Sequence, residues 1–237
     1  MSWLVTSCLI TRVWYTDSVR VLLATTNQGK LIELKEIMSD LGVEVTGLRG
    51  PATTEEIETG STFAENALLK ARYHHGLYGS PAIADDSGLE VEALGGAPGI
   101  RSARYAGPNA SDADRVRRLL DEMKGLPPSR RAARFVCAAA LVWQDGEKVF
   151  LGEATGVILE NPRGANGFGY DPVFFYPPLA RTFAELTASE KAGVSHRGRA
   201  FRKLAAWASE SGALDTRGSG DKIVPTADKT FASPNEG

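Results

Sequence analysis

Ala133 to Gln144 reads ARFVCAAALVWQ, and this stretch decides the fold. Its apolar residues fill both alternating faces, the pattern of a central strand covered on both sides. Asp145-Gly146 follows as a hairpin turn signal, and Lys148 to Ile158 returns as the partner strand. Upstream, Pro81-Ala82-Ile83-Ala84 forms a short strand that runs into Asp85-Asp86-Ser87-Gly88. Arg20 to Thr25 is a buried first strand, and Val43 to Leu48 is assigned as a second. Helical periods lie between them. Leu31, Leu34, Met38 and Leu41 recur at steps of three and four, bracketed by Asn27 as N-cap and Gly42 as C′. A second helix opens at Thr62 with Glu65 as its capping box, and Phe63, Ala67, Leu68 and Ala71 form its apolar face. A helix over 111–123, a Gly-rich loop over 164–172 and a last helix from Ser195 to Ser211 complete the pass. The class is α/β, with a mixed sheet around a long antiparallel hairpin.

The chain has 237 residues, 43% of them hydrophobic, enough for one domain with a proper core, in one or two lobes. A net charge of −2 supplies no basic field for a nucleic-acid backbone, so a phosphate ligand must be met locally by placed cations and a metal. Cys8 and Cys137 form no CxxC pair, which fits a reducing, cytoplasmic compartment. No apolar run is long enough to span a membrane. Residues 1–19 read as a poorly ordered extension, 20–215 as the folded unit and 216–237 as a polar, Gly- and Ser-rich tail.

Five stretches carry chemistry. Thr25-Thr26-Asn27-Gln28-Gly29-Lys30 sits on the turn from strand to helix, where unpaired N–H groups suit phosphate oxygens. Lys30 at a helix start is unfavourable without an anion nearby; the plain alternative is an ordinary cap with a solvated lysine. Asp85 and Asp86 at a strand tip suit magnesium on a triphosphate, which wants few protein ligands and several waters. Alternation sends the two side chains opposite ways, so one acts on metal and water while the other positions the loop. The alternative is an Asx turn.

Glu58, in the acidic run before the Thr62 helix, is a candidate second metal ligand, and Lys70 on that helix is a candidate phosphate contact; both are equally readable as surface residues. Phe168-Gly169-Tyr170-Asp171 offers flat faces for a base and a carboxylate for a ring N–H, or else core anchors. Lys191, His196 and Arg197 offer donors matched to a purine carbonyl at C6, where adenine would present another donor. His74-His75 are assigned to a helix surface, and His196 is not assigned to metal.

Singly these signals are weak, but their order is specific: TTNQGK, ETGSTFAENALLKA, AIADDSGLEVEALGGAPGIRSARYAG, GFGYDPVFF, then ELTASEKAGVSHRGRA. The series resembles the inosine triphosphate pyrophosphatase (XTP/dITP diphosphatase) family over about Val21 to Leu214. The resemblance implies a two-lobed α/β fold flanking a substrate cleft, a homodimer, and magnesium. It implies hydrolysis of ITP, dITP and XTP between the α- and β-phosphates, sparing ATP and GTP. Carried over by motif, Thr25 to Lys30 hold the triphosphate and Asp86 is both water-activating base and metal ligand, with Glu58 as a second ligand. Ser87 contacts substrate, and Phe168 to Asp171, Lys191, His196 and Arg197 hold and read the base. Thr26 departs from the Gly or Ser usual there, and the register of Glu58 rests on the ETG around it. Two rivals are a Maf-type pyrophosphatase of modified pyrimidine triphosphates, disfavoured by SHRG and GFGYD, and a non-catalytic nucleotide-binding module, disfavoured by Asp85, Asp86 and Glu58.

Overall fold

This computed structural model describes residues 20–23, 28–40, 44–47 and 57–211. The expectations for Thr25, Thr26 and Asn27, for the Gln28 side chain, for the Gly42 C′ position and for both terminal segments lie outside the described residues. The strands are β1 (Arg20–Leu23), β2 (Glu44–Gly47), β3 (Ala82–Val91), β4 (Ala132–Trp143), β5 (Gly146–Ile158), β6 (Phe174–Tyr176) and β7 (Arg181–Thr182). The helices are α1 (Gln28–Asp40), α2 (Phe63–Tyr78), α3 (Asp112–Glu122), α4 (Ala188–Val194) and α5 (His196–Ser211). One sheet has the order β2-β1-β3-β4-β5-β6-β7. Its first three strands are parallel and the rest antiparallel, the mixed sheet that the sequence predicts.

Alternation along β4 explains why it is central. Cys137, Ala139 and Leu141 join the cluster beneath α1 and α5, with Leu34, Met38 and Phe201. Ala138, Ala140 and Val142 join Phe63, Ala67 and Ala71 of α2 on the opposite face. Further along, Phe135 of β4 and Leu89 of β3 enter a separate cluster with Leu119, Phe174 and Phe183. The long β3–β4–β5 ribbon thus carries distinct cores at its two ends, and Asp85 to Gly88 falls where they meet.

The hairpin register pairs Trp143 with Gly146, so Gln144 and Asp145 form the turn, one residue before the predicted position, and β5 begins at Gly146, two residues before the predicted Lys148. Helix α5 lies so close to β5 that a Cβ on Gly152 would stand 2.1 Å from the His196 carbonyl oxygen. This contact fixes the start of α5 over the sheet.

Helix α2 starts where predicted, with the Thr62 side chain accepting from the Glu65 N–H. The Glu65 carboxylate, however, closes on the Ser61 N–H at 2.6 Å rather than on Thr62. Two expectations change more substantially. The segment Ala82–Ala84 is no short strand ending at an acidic tip, and Asp85 and Asp86 form no Asx turn: β3 runs unbroken through both to Val91. His74 is not on a helix surface but 2% exposed, packed parallel to Tyr78. Three elements, α4, β6 and β7, are not anticipated by the sequence pattern. The last two are three and two residues long, too short for any period to register.

Candidate active site

Opposite Asp86 and Asp85 on β4 stand Ala138 and Ala139, so small residues flank the acids and leave their carboxylates to reach the helices on either face. Successive strand side chains alternate, and the two acids accordingly enter different networks.

On the α2 face, the Asp86 carboxylate accepts from Asn66 Nδ2 at 3.1 Å, and Lys70 Nζ stands 3.7 Å away. The same ammonium donates to Glu58 Oε1 at 2.6 Å. Lys70 is 3% exposed, which rules out a surface lysine. It brings together the two carboxylates expected to act on metal. Burial raises the Asp86 pKa against the opposing pull of Lys70 and Lys30. Asn66 also accepts from the Gly60 N–H at 2.8 Å through Oδ1, anchoring the loop that carries Glu58.

On the α1–α5 face, Asp85 meets Lys30 at 3.1 Å and Arg197 Nε at 3.3 Å. Arg197 is fully enclosed, and its fork is shared among Asp85, Glu33 Oε2 at 2.5 Å and Ser87 Oγ at 2.8 Å. Burial favours neutral forms of Asp85 and Glu33, yet the surrounding cations outweigh it and hold both carboxyls below the ordinary range. Lys30, at the start of α1, therefore faces a carboxylate, which offsets the unfavourable helix end.

The remaining predicted residues gather beside this network. The Phe168 ring lies against Gly29, where a Cβ would stand 2.7 Å from ring Cδ1. Lys191 Nζ is 4.8 Å from the Phe168 centroid and Arg197 Cζ 5.6 Å, both within cation–π range. Lys191 donates to Asp171 Oδ2 at 2.5 Å. His196 opens α5 with its ring parallel to Phe135 at 4.7 Å, and its buried Nδ1 has no hydrogen-bond partner among the described residues. Burial, reinforced by Arg197 and Lys191, pushes its pKa well below the usual value, so the imidazole is neutral and carries one donor and one acceptor.

Two of the predicted residues are committed within the protein. Tyr170 is 3% exposed, belongs to the Phe135–Phe183 cluster and donates its hydroxyl to the Ser102 carbonyl at 2.9 Å. Asp171 is enclosed, and its Oδ2 accepts from Lys191 and from the Phe168 N–H at 2.9 Å. Glu33 and Asn66 were not singled out from sequence. Their signal was a polar residue at a buried helix position, Glu33 beside Leu34 and Ile37, and Asn66 beside Phe63 and Ala67.

Two carboxylates converging with a lysine on one face of a strand, and neutral and cationic nitrogen groups around an aromatic ring on the other, define a nucleotide-handling α/β enzyme. The chain belongs to the Ham1 family, whose model matches residues 21–207. It is 52% identical over 195 residues to the dITP/XTP pyrophosphatase of Frankia alni, covering 79% of this chain and 96% of that one. It is 51% identical to the dITP/XTP pyrophosphatase of Thermus thermophilus, covering 78% and 90%. The solved HAM1 protein of Coxiella burnetii superposes with a TM-score of 0.70 at 42% identity, covering 81% of this chain and 98% of that one.

Proposed function

We propose that this chain hydrolyses deaminated purine nucleoside triphosphates, ITP, dITP and XTP, to the monophosphate and pyrophosphate. The observation that carries the proposal is the division of labour across β3. Asp86 faces Glu58, Lys70 and Asn66, while Asp85 ties the strand to Arg197 and so to the Phe168–His196 side. Water attacks the α-phosphorus, its proton passes to the Asp86 carboxylate, and the bridging P–O bond breaks with its electron pair leaving on pyrophosphate. Burial raises the Asp86 pKa above the ordinary carboxylate value, which makes it a stronger proton acceptor than a solvated aspartate.

Asp86 and Glu58 present hard oxygen donors, which fit magnesium, and they would hold it with waters and phosphate oxygens completing the shell. Among the described residues no group of three or more His, Cys, Asp and Glu is arranged to hold a metal ion. The bound ion would neutralise phosphate charge. Lys30 and the α1 N-terminus take charge on the departing group. Phe168 stacks the base, and His196, backed by Lys191 and Arg197, reads the C6 carbonyl against an amino group. The enzyme acts in the cytoplasm as a homodimer, without nucleic acid or membrane; no helix among the described residues is long and apolar enough to cross a membrane.

The test is pyrophosphate release from ITP, XTP, ATP, GTP and dTTP, with magnesium and with EDTA. Magnesium-dependent release from ITP and XTP alone is expected. Release from dTTP would move the chain to modified pyrimidine triphosphates, and no turnover of any nucleotide would leave a binding protein.

A further inference from the structure

The two peptide planes that flank Phe168 are each held by a different carboxylate. On the N-terminal side, the Phe168 N–H donates to Asp171 Oδ2 at 2.9 Å. On the C-terminal side, the Gly169 N–H donates at 2.6 Å to Oδ2 of Asp112, a residue 57 positions away at the start of α3. The Gly169 amide belongs to the peptide unit whose orientation is the ψ angle of Phe168; the Phe168 amide belongs to the unit that defines its φ. Two carboxylates thus hold both backbone angles of one residue, and with them the direction in which its side chain leaves the backbone. Gly169 takes φ of +62°, a left-handed conformation that glycine adopts without strain, so the turn costs little and is oriented by these hydrogen bonds.

Asp112 is not needed to cap its own helix. Ser111 and Asp114 close a complete capping box at the α3 N-terminus, with the Ser111 side chain accepting from the Asp114 N–H and the Asp114 carboxylate accepting from the Ser111 N–H. Asp112 instead turns off the helix to the loop, and Arg115 pairs with its other oxygen, holding the carboxylate in place. Arg115 is itself tied to the Ala103 and Ala110 carbonyls at 2.8 and 2.6 Å. The loop is therefore referenced to the α3 end of the molecule, while the Phe168 ring reaches across to Gly29 of α1.

We propose that Asp112 is a positioning residue for base recognition: its carboxylate sets the peptide after Phe168 and thereby aims the ring on which the purine stacks. The proposal rests on the role given above to Phe168. The experiment is steady-state pyrophosphate release from ITP by Asp112→Ala, Asp112→Asn, Phe168→Ala and the Asp112→Ala/Phe168→Ala double variant, with melting temperatures recorded for each. Asp112→Ala is expected to raise KM about tenfold with kcat within about twofold, the effect of losing one hydrogen bond and leaving the Gly169 N–H without its acceptor. Asp112→Asn keeps an acceptor oxygen for Gly169 and is expected to restore KM to within about twofold of the parent. The double variant is expected to bind ITP no worse than Phe168→Ala alone, because Asp112 acts only through that ring.

A lowered melting temperature with unchanged KM in Asp112→Ala, while Phe168→Ala raises KM, would overturn the proposal and leave Asp112 a structural residue. Equal KM defects in the Ala and Asn variants would overturn it too, by assigning the effect to charge. An unchanged KM in Phe168→Ala would instead sink the stacking role of Phe168, separately from the hydrogen bond that orients it.

Discussion

Asp85 and Asp86 are covalent neighbours on β3 whose carboxylates enter networks on opposite faces of the sheet. Asp85 is held by Lys30 and Arg197, whereas Asp86 is held by Asn66 and Lys70. Adjacent acids would repel if they shared a face; strand alternation separates them and gives each different nearest cations. The division also separates their functions. Asp86→Asn keeps the acceptor for Asn66 but loses the charge and the basicity. It is expected to cost on the order of two to four decades in kcat, with a melting temperature near that of the parent. An Asp86→Asn enzyme at near full rate would remove Asp86 from the chemistry.

Asp85→Asn should instead be a stability variant. Burial pushes the Asp85 pKa up, but Lys30, Arg197 and Lys70 outweigh it and hold the folded-state value well below the ordinary one; Glu33, between Arg197 and Lys191, shifts the same way. A depressed folded pKa contributes stability that is complete above the unfolded value, about 3.9 for Asp, and is lost as pH falls towards the folded value. Urea unfolding is expected to give a stability that is level from neutral pH to about pH 5 and falls below about pH 4. Asp85→Asn should lower stability at pH 7 by on the order of 3 kcal/mol, because the enclosed Arg197 and the largely buried Lys30 lose their shared anion. It should also flatten the acid slope. A variant as stable as the parent at pH 7 would show that Lys30 and Arg197 do not depend on Asp85.

Tyr170 and Phe168 stand two residues apart in one loop, and the structure gives them different surroundings. Tyr170→Phe removes only the hydroxyl that donates to the Ser102 carbonyl. A loss of about 1 kcal/mol in stability is expected, with KM for ITP unchanged. A clear rise in KM would return the Tyr170 ring to the ligand.

The parts of this molecule that were legible in the sequence are those with a long local period. β4 shows apolar residues on both faces from Phe135 to Trp143, and its partner strand follows an evident turn. The α2 start was legible because Thr62 and its neighbours carry cap chemistry locally. The acid pair was recognised as chemistry but misplaced at a strand tip. Nothing local justifies two aspartates in mid-strand; Lys30, Asn66, Lys70 and Arg197, which stabilise them, are brought there only by the fold. Glu33 and Asn66 escaped for the complementary reason, since each interrupts an apolar helix face and becomes meaningful only once Arg197 or Asp86 is opposite. Tyr170 and Phe168 could not be told apart by composition, because a glycine-rich loop has no period to say which ring turns inward.

The placement of His196 depends on a contact that has no side-chain polar group in it. A Cβ on Gly152 would meet the His196 carbonyl oxygen at 2.1 Å and the Ala200 nitrogen at 2.5 Å, both backbone atoms of α5 that no rotamer change can move aside. Gly152→Ala must therefore displace the N-terminal turn of α5 from β5. Overpacking of this kind costs about 1–3 kcal/mol and more where backbone must shift, so about 3 kcal/mol is expected. Because His196 and Arg197 begin the same helix, kcat/KM for ITP should fall together with stability. Gly76, inside α2, provides the contrast, since a methyl group added there would meet nothing within 4 Å. Gly76→Ala should raise stability by about 0.5–1 kcal/mol through helix propensity alone, at unchanged activity. Thermal unfolding and ITP turnover measured on both variants decide the matter. If Gly152→Ala kept parental stability and turnover, α5 would have to sit further from the sheet than these contacts place it, and the position of His196 over Phe135 would fall with it.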